Sequence, residues 1–202
     1  VSATLGRDRP TCATPIDAGT LGDYWLGALA DSEQETVELH LLGCDRCGER
    51  LREVIALADG LRELAREGSL RLVVSDTFVR RARDHGLRVR EYSTSPGGSV
   101  ACTVTADDDL LIARLAANLS GARRVDLCLC DERGVEQDRL ADIPVRSDAG
   151  GFAFQESIAL AKAAPTHTLL MRLVTVDDGG KESVLGEYTF NHTRSLPGPG
   201  VW

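Results

Sequence analysis

Long apolar runs are missing from this 202-residue chain; none approaches the roughly 20 residues that a membrane-spanning helix needs. The first ten residues include Arg7, Asp8, Arg9 and Pro10 and no apolar stretch, so no secretory leader is expected and the expected location is the cytoplasm. Lysine is nearly absent, Lys162 and Lys181 being the only two, and the basic charge is almost all arginine. Positive charge is also in deficit: 23 Lys and Arg stand against 31 Asp and Glu, a net charge of −8. That excludes a broad basic surface, so no direct nucleic-acid contact is expected. The signatures G-x-S-x-G, P-loop, G-x-G-x-x-G and H-E-x-x-H are all lacking, and no enzyme is expected.

What is present is ordinary globular material. Apolar residues make up 43% and charged residues 27%, enough for a core and too apolar for wholesale disorder. The length suits one large domain or two small ones. Six cysteines fall in two groups, Cys12, Cys44 and Cys47 early and Cys102, Cys128 and Cys130 later. Small secreted disulfide scaffolds are shorter and denser in cysteine, so metal or redox use is expected of the first group.

The period of the apolar pattern changes along the chain. Leu21, Tyr24, Trp25 and Leu29 recur at three- and four-residue spacing, the stripe of a helix. Asp31-Ser32-Glu33 predicts a turn and a second helix through His40, interrupted at Gly43. A third helix is predicted from Cys44-Asp45, with Leu51, Val54, Ile55, Leu57, Ala58, Leu61 and Leu64 on its stripe and Gly68 at its end. Asp76 to His85 reads as a fourth, capped by Gly86. From Arg88 onward the period becomes two. Seven or so short runs separated by Gly, Asp, Ser or Pro predict an all-β sandwich of Ig-like or Greek-key type. Trp25 and Trp202 lie outside these runs and cannot supply the core tryptophan of an antibody domain. The expected fold class is therefore α+β as separate domains. Residues 1–90 are read as the helical metal-binding domain, 91–98 as a linker turn, 99–193 as the sandwich and 194–202 as a flexible tail. Asp107-Asp108-Asp109 reads as a solvated turn, Met171 as core, and the strand cysteines Cys128 and Cys130 as small core residues.

The sharpest motif is His40-Leu41-Leu42-Gly43-Cys44-Asp45-Arg46-Cys47, that is, H-x3-C-x2-C. At about 100° per residue, positions i, i+4 and i+7 share one helix face, so the three side chains converge. An imidazole with thiolates suits tetrahedral Zn2+. Cys12 or Asp17 is expected as the fourth ligand. Four closed N and S ligands make a structural site rather than a catalytic one.

Residues 12–67 resemble the zinc-binding domain of bacterial anti-sigma factors. Carrying the resemblance are Cys12, the Leu21-Gly22-Asp23-Tyr24-Trp25-Leu26-Gly27-Ala28-Leu29 segment, the acidic Asp31–Glu38 run, and His40 with Cys44 and Cys47. The resemblance implies zinc held by Cys12, His40, Cys44 and Cys47. It also implies a helical domain that wraps an extracytoplasmic-function sigma factor and blocks its contact with RNA polymerase. It covers about a quarter to a third of the chain and assigns the β domain no function. Six acids and no base lie between Asp17 and Glu38, an acidic surface suited to a basic partner, with Glu33, Glu35 and Glu38 as candidate contacts. Leu51, Val54, Leu57, Leu61 and Leu64 are the candidate apolar contacts. The alternative function is a zinc-thiolate redox sensor that does not act through a sigma factor. No membrane partner is expected; association with a second copy is left open.

Overall fold

A computed structural model describes residues 12–146 and 148–201. The chain divides into two compact units, residues 1–63 and 64–202.

The first unit is helical. Helix α1 (Ala18–Leu26) starts at Asp17, whose carboxylate accepts from the backbone N–H of Thr20 at 2.9 Å and from its hydroxyl at 2.6 Å. It stops at Gly27. Helix α2 (Asp31–Gly43) begins with Glu33 accepting from the Ala30 N–H at 3.2 Å. Gly43 remains helical; the break falls one residue later, at extended Cys44. Helix α3 (Asp45–Arg66) follows at once, because the Cys44 carbonyl accepts its first turn's bond from Gly48. Across α1 and α3, the Arg62 guanidinium lies 4.2 Å over the Trp25 ring, a cation–π contact absent from the sequence-based expectation. Only Leu21, Val37 and Cys47 are buried in this unit among the described residues.

The second unit is a two-sheet sandwich. Strand β1 (Leu72–Val74) leads into helix α4 (Asp76–Asp84), capped by Ser75, whose hydroxyl accepts from the Phe78 N–H. Then follow β2 (Val89–Thr94), β3 (Ser99–Cys102), β4 (Leu110–Ala116), β5 (Arg124–Cys130), β6 (Glu136–Leu140), β7 (Gly151–Glu156), helix α5 (Ile158–Ala163), β8 (His167–Val176) and β9 (Glu182–His192). One sheet has the order β1-β7-β4-β2 and the other β3-β9-β8-β5-β6. Most neighbours are antiparallel; β2 runs parallel to β4, and β3 parallel to β9. The Ser95–Gly98 turn therefore carries the chain from the edge of one sheet to the edge of the other. Gly98 is required there, since a Cβ would stand 2.5 Å from Thr94 Oγ1 and 2.8 Å from the Ser95 carbonyl.

Alternate residues of both sheets face inward and form one core, with Leu115, Phe154, Leu127, Met171, Leu173 and Tyr188 nearly or fully buried. The Tyr188 hydroxyl donates to the Ala116 carbonyl at 2.7 Å and so ties β9 to β4 across that core. A smaller cluster, Val79 of α4 with Val74, Ile112 and Ala153, covers the outer face of the four-stranded sheet.

Three boundaries differ from expectation. The helical unit ends near residue 63 rather than 90, because β1 pairs with β7 and β2 with β4, drawing the segment from Leu72 into the sandwich. The segment 91–98 is mostly strand β2 and its turn, not a linker. The tail is tied down: Arg194 Nη1 donates to the carbonyls of Lys162, Ala163 and Ala164 at 2.7–3.1 Å, and the Val201 N–H donates to Ala163 at 2.8 Å. These bonds satisfy the otherwise open carbonyls at the end of α5. The Asp107–Asp109 turn is not fully solvated either. Asp108 is buried and accepts from the Thr105 N–H at 2.7 Å and from Arg90 Nε at 3.1 Å. Burial alone would raise its carboxyl; those bonds outweigh it and hold the group below the usual range.

Candidate metal centre

Four side chains of the helical unit converge. His40 stands on the last turn of α2, Cys44 at the break, Cys47 on the first turn of α3, and Cys12 precedes α1. Their ligand atoms all lie within 4.8 Å of one another. His40 Nε2 is 3.2 Å from Cys47 Sγ and 3.5 Å from Cys12 Sγ, and the Cys12 and Cys47 sulfurs are 3.9 Å apart. An ion with thiolates at about 2.3 Å and an imidazole at about 2.0–2.1 Å, all at tetrahedral angles, separates S and N by about 3.5 Å and two sulfurs by about 3.8 Å. The three distances among Cys12, His40 and Cys47 lie within about 0.3 Å of those edges, and with Cys44 no more than 4.8 Å from each of them the group offers four N and S ligands to one metal ion.

The electrostatics suit thiolate ligation. The Cys47 backbone N–H, at the start of α3, is the main cause that lowers the Cys44 thiol to about 7. Desolvation pushes Cys12 up instead, and the neighbouring Cys44 adds to this. Cys47 is fully buried, and the other three ligands are half-buried. Asp17, the alternative fourth ligand, is engaged as the N-cap of α1.

The remaining cysteines form no second centre. Cys128 and Cys130 are buried on the outer face of the five-stranded sheet with Val174 and Val176, and burial is the first cause that raises Cys128 to about 12. Cys102 is raised to about 11 by burial. All six cysteines are free, and no other group of metal-ligating side chains occurs among the described residues.

The candidate partner-binding residues separate into two sets. Leu51 and Val54 are half-buried, whereas Leu57, Leu61 and Leu64 are 66%, 49% and 43% exposed on α3. Spaced i, i+4 and i+7, these three form a stripe distinct from the inward side of the helix. Leu39 and Leu42 of α2 are exposed as well, at 64% and 86%. Glu33, Glu35 and Glu38 are exposed; Glu33 is used in starting α2, and Glu38 accepts from Gln34 Nε2 at 2.9 Å. No described helix is long and apolar enough to cross a membrane.

Residues 20–48 match a family model described as "Putative zinc-finger". The matched segment holds His40, Cys44 and Cys47; Cys12 lies outside it and is brought to the site by the fold. No curated protein matches the chain in sequence. Among solved structures, the chain is similar to the N-terminal domain of phage TP901-1 ORF48, at 11% identity and a TM-score of 0.34, over 54% of this chain and 100% of that one.

Proposed function

We propose that this protein is an anti-sigma factor whose helical unit, closed around one Zn2+, sequesters an extracytoplasmic-function sigma factor in the cytoplasm and so represses transcription. The observation that carries this is the four-ligand Cys12–His40–Cys44–Cys47 cluster in a helical unit that leaves apolar side chains exposed. Three buried side chains among the described residues are too few to hold the roughly 50 residues of 12–63 in one arrangement. Zinc binding in small zinc peptides contributes about 10–16 kcal/mol to folding, which would supply what this core lacks. The ion's role is thus structural: it fixes α2 against α3 and holds Cys12 beside both. Leu57, Leu61 and Leu64 would supply contact area in a groove of the sigma factor, and the acidic side chains would speed encounter with its basic surfaces.

The test is co-expression of the full chain with candidate sigma factors, followed by size-exclusion chromatography. A one-to-one complex that contains zinc and blocks transcription by the sigma-loaded polymerase is expected. Failure to bind any sigma factor of the native host would overturn the proposal. The same cluster suits a second role, because three cysteines share it and Cys12 and Cys44 are only half-buried. A zinc-thiolate redox sensor without a sigma partner would instead release zinc on peroxide treatment while forming no such complex.

A further inference from the structure

Two inward rows of the five-stranded sheet end in imidazoles. Along β9, Tyr188 and Phe190 face the core and His192 continues the alternation; along β8, Met171 and Leu169 face it and His167 continues. The register sets His192 opposite His167 on one side and Cys102 of β3 on the other, and the two imidazole rings stand 5.3 Å apart, tilted by 50°. All three residues border a cavity of about 720 Å3 at one end of the sandwich, within the range of small-molecule sites. Leu129, Met171 and Phe190 wall it from one sheet, Ala113 from the other and Ala161 from α5. Arg71, Asp138 and Glu156 also border it and are engaged in ion pairs with one another.

His192 is buried, at 7% exposure, yet neither of its ring nitrogens has a hydrogen-bond partner among the described residues. Among those residues, the side-chain polar atoms that are both unpartnered and sealed off are Gln155 Oε1 and Glu156 Oε2. The His192 nitrogens are not sealed in this way, so they keep access to the space that the ring borders. Its neighbours are used differently. The His167 Nδ1–H donates to the Pro165 carbonyl at 2.8 Å, and the Tyr92 hydroxyl donates to the Thr103 carbonyl at 2.7 Å and accepts from the Thr103 N–H at 2.9 Å. Burial first, then the charges of His167 and Arg194, depress His192 below the usual histidine range, so its ring is neutral at pH 7. A neutral imidazole offers one N–H and one lone pair, and buried polar groups of this kind are normally hydrogen-bonded.

We infer that this cavity is a binding site for a small uncharged molecule with an apolar body and one phenolic hydroxyl, the hydroxyl meeting an imidazole nitrogen of His192 and the body lying against the sandwich interior. A hydroxyl both donates and accepts, so it suits either ring nitrogen, and a phenol is the more acidic donor to the lone pair. A carboxylate or an ammonium would lose its water beside an uncharged ring that cannot balance it, at a far greater cost than burying a hydroxyl. A hydrocarbon would leave both nitrogens unpaired. The inference concerns the β unit alone and stands or falls independently of sigma-factor binding.

Four probes with one naphthalene body separate the possibilities on the zinc-loaded full chain: 2-naphthol, its methyl ether 2-methoxynaphthalene, 2-naphthoate as the anion and 2-naphthylmethylamine as the cation. Calorimetry at pH 7 is expected to rank the naphthol at least tenfold tighter than the ether, which cannot donate, and to find no binding of the two ions at millimolar concentration. His192→Phe keeps a ring in place and removes the nitrogens; it should bring naphthol and ether within about twofold of each other. Ala161→Trp, at the cavity wall, should abolish binding of both, and keeps the test decisive if His192→Phe does not fold. In the unaltered protein, long-range 1H–15N spectra should show the imidazole nitrogens of His192 shifting on addition of naphthol while those of His85, which does not border the cavity, stay in place. No binding of naphthol at millimolar concentration, equal affinity for naphthol and ether, tighter binding of either ion, or naphthol binding unchanged by both substitutions would overturn the inference.

Discussion

The sulfurs of Cys12 and Cys47 stand 3.9 Å apart although 35 residues separate them. Helix α1 and the whole of α2 lie between, so one metal ion would close the longest loop of the helical unit. Removing the ion should therefore unfold that unit and leave the sandwich intact. Metal analysis should find one zinc per chain. A chelator such as EDTA should remove much of the helical circular dichroism while Tyr188, in the core of the β unit, keeps its native signal. His40→Ala, Cys44→Ala and Cys47→Ala should each lower zinc affinity strongly. Cys12→Ala should lower it as well, and a Cys12→Ala protein with unchanged zinc affinity would remove that residue from the ligand set.

The β unit begins earlier than its period-two pattern. A fragment 64–202 should fold alone with cooperative thermal unfolding. A fragment 98–202 should not, because it lacks β1, β2 and α4. Those elements pair with β7 and β4 and cover Ile112 and Ala153, which are 0% and 3% exposed. Melting followed by far-UV circular dichroism distinguishes the two; a cooperative transition in 98–202 would place the boundary back at the Ser95–Gly98 turn.

This boundary shows what the sequence could and could not carry. The H-x3-C-x2-C spacing made three ligands legible, because residues this near in sequence stay close even where the helix breaks at Cys44. Cys12 is joined to them only by the path of α1, which no spacing encodes. The helices before Gly68 and most strands after Arg88 followed from their periods. Strand β1 did not: three residues are too short to show alternation, and its partner β7 is some 80 positions away. The apolar pattern does not announce helix α5, since Ile158-Ala159-Leu160 continues the run of β7. Ser157 turns it into a helix by accepting from the Leu160 N–H.

Acid should weaken the sandwich through Asp126. Its side chain is fully buried and accepts from Arg124, Arg139 and the Asp142 N–H. Burial would raise the carboxyl, but these donors prevail and hold it below its ordinary value. A carboxyl lowered on folding contributes stability that is complete above the unfolded value of about 3.9 and is lost as pH falls through the folded value. Asp126→Asn should therefore destabilise the protein by about 1.5–3 kcal/mol at pH 7, the range for hydrogen bonds to a charged group. The gap between variant and wild type should narrow below about pH 4. Urea unfolding across that range measures both effects, and a gap independent of pH would assign the loss to shape rather than charge.

The exposed stripe on α3 gives the sharpest test of partner binding. Leu57→Asp and Leu61→Asp alter side chains that are 66% and 49% exposed, so each should change stability by no more than about 0.5 kcal/mol. If this stripe enters a groove of a sigma factor, each should cost at least about 2 kcal/mol of binding, roughly thirtyfold in Kd, expressed mainly as faster dissociation. Acidic changes should act differently. Glu35→Lys and Glu38→Lys lie on the outer surface of α2 and should slow association and flatten its salt dependence while leaving dissociation nearly unchanged. Glu33→Lys is a poor probe, because Glu33 also accepts from the Ala30 N–H and its loss would loosen the start of α2. Surface-resonance kinetics at two salt concentrations separate the two effects. Leucine variants that fold, hold zinc and still bind the sigma factor with wild-type kinetics would move the interface off α3.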